Sequence, residues 1–166
     1  MTLRITSIIF LFSFYLCSAQ EVFFDVNDSE ISFNTERFII PKKYRTLGVN
    51  KIEIEKLLDE SNLESEVFVH ESKYLISLPL PNGENVLFRF VQAPIMSTIL
   101  SAKYPKIRTY LGESIDHKMS LRFNYNPELG FHAMILGQTD VIFIDPYSFH
   151  NVNYIISYYK KDYENI

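Results

Sequence analysis

The chain has 166 residues, with 16 Lys plus Arg against 20 Asp plus Glu, 14 Phe, 11 Tyr, no Trp and one Cys. A formal net charge of −4 makes nucleic acid a poor partner, because phosphate backbones are held mainly by clustered Lys and Arg. The short basic groups at 42–45 and 160–161 read as solvated surface, and no Gly-rich phosphate loop or Gly-x-Ser-x-Gly elbow occurs.

The first element in chain order is an address. Arg4 precedes an apolar run at 5–16 that only small hydroxyl residues interrupt, and Cys17-Ser18-Ala19 follows. This pattern predicts a cleavable signal peptide over 1–19, cut between Ala19 and Gln20. About twelve apolar residues are too few to cross a hydrocarbon core of ~30 Å, which takes about twenty. The expected product is exported, either secreted or periplasmic, with no integral membrane segment after cleavage. Cleavage removes the only cysteine and takes the net charge to −5. Residues 20–166 would then hold by packing alone, as one β-rich domain.

Within that domain, aromatic and β-branched residues recur at every second position, the period of a half-buried strand. Segments 21–26 and 37–40 read as early strands, the second stopped by Pro41. Residues 49–58 read as a helix capped by Asn50, with Glu53 completing a capping box. Segments 74–80 and 85–91 flank Pro81-Asn82-Gly83-Glu84, and Asn-Gly predicts a hairpin turn with positive φ at both positions. A short helix is expected over 97–104, then strands at 107–111, 119–125, 131–136, 141–144 and 154–159. The fold class is α+β, mainly β: an antiparallel meander of hairpins with two short helices.

The residues that carry chemistry are few. His70-Glu71 begins like the zinc-protease motif HExxH, but position 74 is Tyr and the segment runs into a strand. The other histidines are His117, His132 and His150. Alternation puts Phe131, Ala133 and Ile135 on one face of a strand and His132 and Met134 on the other. Asp145-Pro146-Tyr147 presents a carboxylate and a phenol where a strand closes. Asp116 with Asp145 could pair as acid and base only if the fold brought them together, and turn chemistry is the favoured reading of both. No catalytic residue, metal ligand or cofactor is assigned.

Read together, YRTL at 44–47, LL at 57–58, ISLPLPNG at 76–83, APIM at 93–96, YPKIRTY at 104–110, GFHAM at 130–134 and IDPY at 144–147 resemble one family. It is the prodomain-like region of secreted, reprolysin-like zinc metalloproteases of Bacteroidota-type bacteria, over roughly residues 35–160. The resemblance implies a noncatalytic module that aids folding of a protease catalytic domain or inhibits it sterically, in cis or in trans. In that family the zinc belongs to the catalytic domain, and this sequence reaches residue 166 before any three-histidine motif. A truncated precursor and a stand-alone remnant are both consistent with that. A cysteine-switch mechanism is excluded once Cys17 is removed, so inhibition would use a strand edge or the turn at 94–96. Partner-contact candidates are Pro94, Met96, His132, Asp145 and Tyr147. The alternative class is a secreted or periplasmic peptide- or glycan-binding adhesion module. A small hydrolase using Asp116 and Asp145 ranks after both.

Overall fold

The computed structural model describes residues 21–32, 36–37, 39–149 and 152–163, so Ala19, Gln20 and His150 lie outside the described residues. Among the described residues, the alternating segments are strands of one sheet: β1 (Phe23–Asp25), β2 (Arg45–Val49), β3 (Leu75–Pro79), β4 (Asn85–Gln92), β5 (Arg108–Ser114), β6 (Ser120–Asn126), β7 (Gly130–Leu136), β8 (Val141–Pro146) and β9 (Tyr154–Tyr159). Two helices join them, α1 (Lys51–Asp59) after β2 and α2 (Thr98–Lys103) between β4 and β5.

The strand order is β1-β2-β9-β8-β7-β6-β5-β4-β3, every pair antiparallel. From β3 to β9 the chain is therefore a simple meander. Its last strand then pairs with β2, and β1 comes up against β3, so the twisted sheet curls into a nearly closed barrel. Side chains of one alternation phase fill the interior: Phe88 and Phe90 of β4, Tyr110 of β5, Leu121, Phe123 and Tyr125 of β6, and Phe131, Ala133 and Ile135 of β7. Their rings interlock, with Tyr110 stacked on Phe123 at 4.6 Å and Phe90 meeting Phe123 edge-on at 5.5 Å. Ile54 and Leu58 of α1 join this core, so the helix stoppers the end of the barrel where β2 and β6 finish and β5 begins.

A second cluster lies outside the barrel. Ile156 and Tyr158, the outward residues of β9, pack with Ile31, Tyr147 and the partly buried Val26, Ile39 and Tyr44. Val26, Ile31, Ile39 and Tyr44 thus cover β9, which is why that strand is buried on both faces and does not read as alternating.

Several expectations change. The described residues of 37–40 belong to no strand, because the Arg37 guanidinium is held between the rings of Tyr44 (4.7 Å) and Tyr147 (4.3 Å). Instead β2 takes the place beside β1; its Arg-Thr-Leu-Gly-Val carries no alternation, since four of its five residues are buried. The side chain of Asn50 does cap α1, accepting from the Glu53 amide at 3.4 Å. The capping box does not close, because the Asn50 amide donates to the Val22 carbonyl at 2.8 Å. The hairpin forms, but only Gly83 has positive φ (94°). Pro81 fixes its own φ near −65°, which suits an unprimed turn, and Gly83 follows it as the left-handed residue of a three-residue loop. The Gly83 amide donates to the Leu80 carbonyl at 3.2 Å and the Leu80 amide to the Glu84 carbonyl at 2.8 Å.

Candidate functional site

The outer face of β5–β8 carries the side chains that alternate out of the core. Near the α1 end of the barrel this face is hollowed into an open groove of about 490 Å³, lined by Arg122, Asn124, His132, Met134, Phe143 and Asp145, with Ile95 at its rim. Two residues singled out separately in the sequence meet here. The Asp145 carboxylate pairs with His132 Nδ1 at 2.9 Å and accepts the Tyr158 hydroxyl at 2.8 Å, so one carboxylate joins β7, β8 and β9. Burial, and then the Asp145 charge, push the Tyr158 phenol well above its ordinary pKa. When Nδ1 carries the ring proton it donates to Asp145, and Nε2 is left as an acceptor.

The acid–base pairing of Asp116 with Asp145 does not form. Asp116 sits in the β5–β6 turn, accepting from Ser114 Oγ at 2.6 Å, at the opposite end of the strands from Asp145. His70 lies in a short 3-10 turn, stacked on Phe68 at 5.7 Å, with no second histidine one helical turn on. Tyr147 is buried in the outer cluster, its ring under Arg37 and its hydroxyl donating to Asp28 Oδ2 at 3.4 Å.

Pro94 and Met96 belong to the β4–β5 connection, which leaves the barrel at Ala93 and returns at Arg108. Pro94 is exposed and Met96 partly so. Ser97 caps α2 by accepting from the Leu100 amide at 3.4 Å, and the helix buries none of its residues. Ile95 is 76% exposed and Ile99 86%, with Leu100 and Tyr104 also exposed beside them.

A second cavity, of about 340 Å³, opens between the C-terminal half of α1, the start of β5 and the β6–β7 turn. Arg108 pairs with Asp59, and the Tyr125 hydroxyl donates to Glu55 Oε1 at 3.0 Å. Tyr110 also lines this cavity; its hydroxyl is buried near the Arg108 guanidinium and makes no hydrogen bond of ordinary geometry. Burial raises the Tyr110 pKa to about 12, while the neighbouring Arg108 guanidinium pulls it the other way. Sequence reading missed this cluster. Its one local signal was the spacing of Glu55 and Asp59, one helical turn apart and so on one face of α1.

Among the described residues, no group of three or more His, Cys, Asp or Glu is arranged to hold a metal ion. Nor is any described helix long and apolar enough to cross a membrane. Comparison of the chain with protein-family models, curated proteins and solved structures finds no match. The likeness to reprolysin-like prodomains therefore rests on the seven sequence blocks alone.

Proposed function

We propose that this chain is an exported, noncatalytic docking module that binds another polypeptide, and that its partner is a protease catalytic domain, as the prodomain resemblance implies. One observation carries the reading. The 94–104 excursion holds Ile95, and Ile99 on a helix with no buried residue, largely in solvent, beside a groove with Met134 and Phe143 in its lining. Apolar side chains gathered on one exposed segment mark a surface that another protein covers.

The strand-edge route is less well supported than docking through the excursion. The sheet's two edges, β1 and β3, are only three and five residues long and face each other across the barrel seam. An incoming strand would have to part them.

The test is to add the purified protein to a reprolysin-like zinc metalloprotease domain and follow both its activity and its refolding yield. We expect saturable inhibition or improved refolding, and loss of either effect in an Ile95→Glu, Ile99→Glu double variant. An unaffected protease, or a double variant as effective as the parent, removes the proposal.

A further inference from the structure

We propose that the cavity between α1, β5 and the β6–β7 turn binds an uncharged, hydroxyl-rich ligand of the size of one sugar ring. This goes beyond the docking reading and uses none of its residues; it deepens the alternative of a glycan-binding module.

The strongest indication is Tyr110. The residue is only 1% exposed, yet its hydroxyl has no hydrogen-bond partner. Buried hydroxyls are nearly always paired, and an unpaired one is a standing demand for a partner. Tyr110 is one of the residues that line the cavity.

The rest of the lining states what kind of partner. Asp59 uses one carboxylate oxygen on Arg108, and Glu55 uses one on the Tyr125 hydroxyl, so each keeps a second oxygen as an acceptor. Arg108 gives Nη1 to Asp59 and retains further N–H donors. Donors and acceptors are thus gathered around one small space. Adjacent hydroxyls on a ring both donate and accept, and match such an arrangement; a carbonyl compound or an amine matches only half of it.

Charge narrows the class further. Two carboxylates, Glu55 and Asp59, face two cations, Arg108 and Lys106, so neither an anion nor a cation gains net attraction. Leu58, Pro105 and Pro127 supply apolar wall for the C–H faces of a ring. A volume of about 340 Å³ lies at the small end of ligand cavities, and barrel mouths are a common place for them.

The test is a titration of the full-length protein, followed by amide and side-chain NMR shifts. The probes are the methyl glycosides of glucose, galactose and mannose, with inorganic phosphate and magnesium as charged controls. We expect at least one glycoside to shift Tyr110, Tyr125 and Arg108 saturably. Tyr110→Phe keeps the ring and deletes the hydroxyl, so its fold is retained while affinity falls about tenfold, the effect of losing one buried hydrogen bond. Asp59→Asn serves as a second variant, with a comparable loss. Preferential binding of phosphate or magnesium overturns the proposal, as does a Tyr110→Phe protein that binds as well as the parent. The absence of any shift with all three glycosides, which would mean that only water serves the Tyr110 hydroxyl, also overturns it. Because the readouts sit at α1, β5 and β6, they are independent of the Ile95 and Ile99 surface.

Discussion

His117 adopts φ 59°, the one positive value among the described non-glycine residues. It follows Asp116 in the β5–β6 turn, where its amide donates to the Ser114 carbonyl at 2.9 Å. Left-handed backbone brings Cβ against the following carbonyl and costs an L-residue about 1–2 kcal/mol. Its side chain offsets this through a pair with Glu113 at 3.3 Å in which the imidazole is 65% exposed, and a pair so open to water on one side is worth little. His117→Gly is therefore expected to stabilise the protein by about 1 kcal/mol, after allowance for the added freedom of the unfolded chain. In a domain of this size that raises Tm by roughly 2–4 °C. A lower melting temperature would show that the turn needs the imidazole.

The His132 environment shows how far single residues were legible. Strand alternation placed His132 opposite the Phe131 and Ala133 face, and both of those residues are in the core. Its partner could not be read, because Asp145 meets it only through the register of β7 with β8 and lies thirteen residues away.

At the scale of elements, the strands from β3 to β9 were legible because their apolar residues alternate, or in β9 run together between turn signals. β2 was not, since one of its faces lies in the core and the other beneath Asp28, which Thr46 bonds, and the β1 ring of Phe24. The cavity cluster was illegible for a related reason. Asp59 meets Arg108 across 49 residues and Glu55 meets Tyr125 across 70, so the site exists only once α1 stoppers the barrel. β5 supplies a prediction at this scale. A Cβ at Gly112 would lie 2.8 Å from the Arg89 carbonyl of β4 and 3.0 Å from Leu121 Cδ2 of β6. The carbonyl belongs to a paired strand and cannot swing away as a side-chain end would. Gly112→Ala is expected to destabilise by about 1–3 kcal/mol through this overpacking, although alanine favours an extended chain no less than glycine does. Urea denaturation checks it, and an unchanged midpoint would mean that β4 and β5 separate without loss.

For the molecule as a whole, the question is what holds a curled sheet shut where its edge strands meet without a full ladder. Among the described residues, two side chains hydrogen-bond across the seam. Ser157 of β9 donates to the Pro79 carbonyl at 2.8 Å from inside the barrel. Arg45 of β2 reaches the hairpin outside it, donating to the Glu84 carbonyl and to Asn85 Oδ1, each at 3.0 Å. The same guanidinium clasps Asp25 of β1 through Nε at 2.7 Å and Nη2 at 2.9 Å. One side chain thus ties β1 and β2 to the β3–β4 turn, with most of its surface buried while Asp25 stays largely in solvent. Arg45→Met keeps the aliphatic stem and removes every one of these bonds, so it should destabilise by about 2 kcal/mol near neutral pH. The Asp25 share of that is small, since the pair is exposed and screened. Its sign is nevertheless fixed. The hydrogen bonds from Arg45 hold the Asp25 carboxyl below its ordinary value of 3.8, so this contribution is complete above that value. It is lost as pH falls through the lower folded-state value. Urea midpoints of the parent and Arg45→Met should therefore differ most near pH 7 and draw slightly closer below about pH 4, with the carbonyl bonds maintaining most of the gap. A variant as stable as the parent at both pH values would mean that Ser157 and the barrel core close the seam without Arg45.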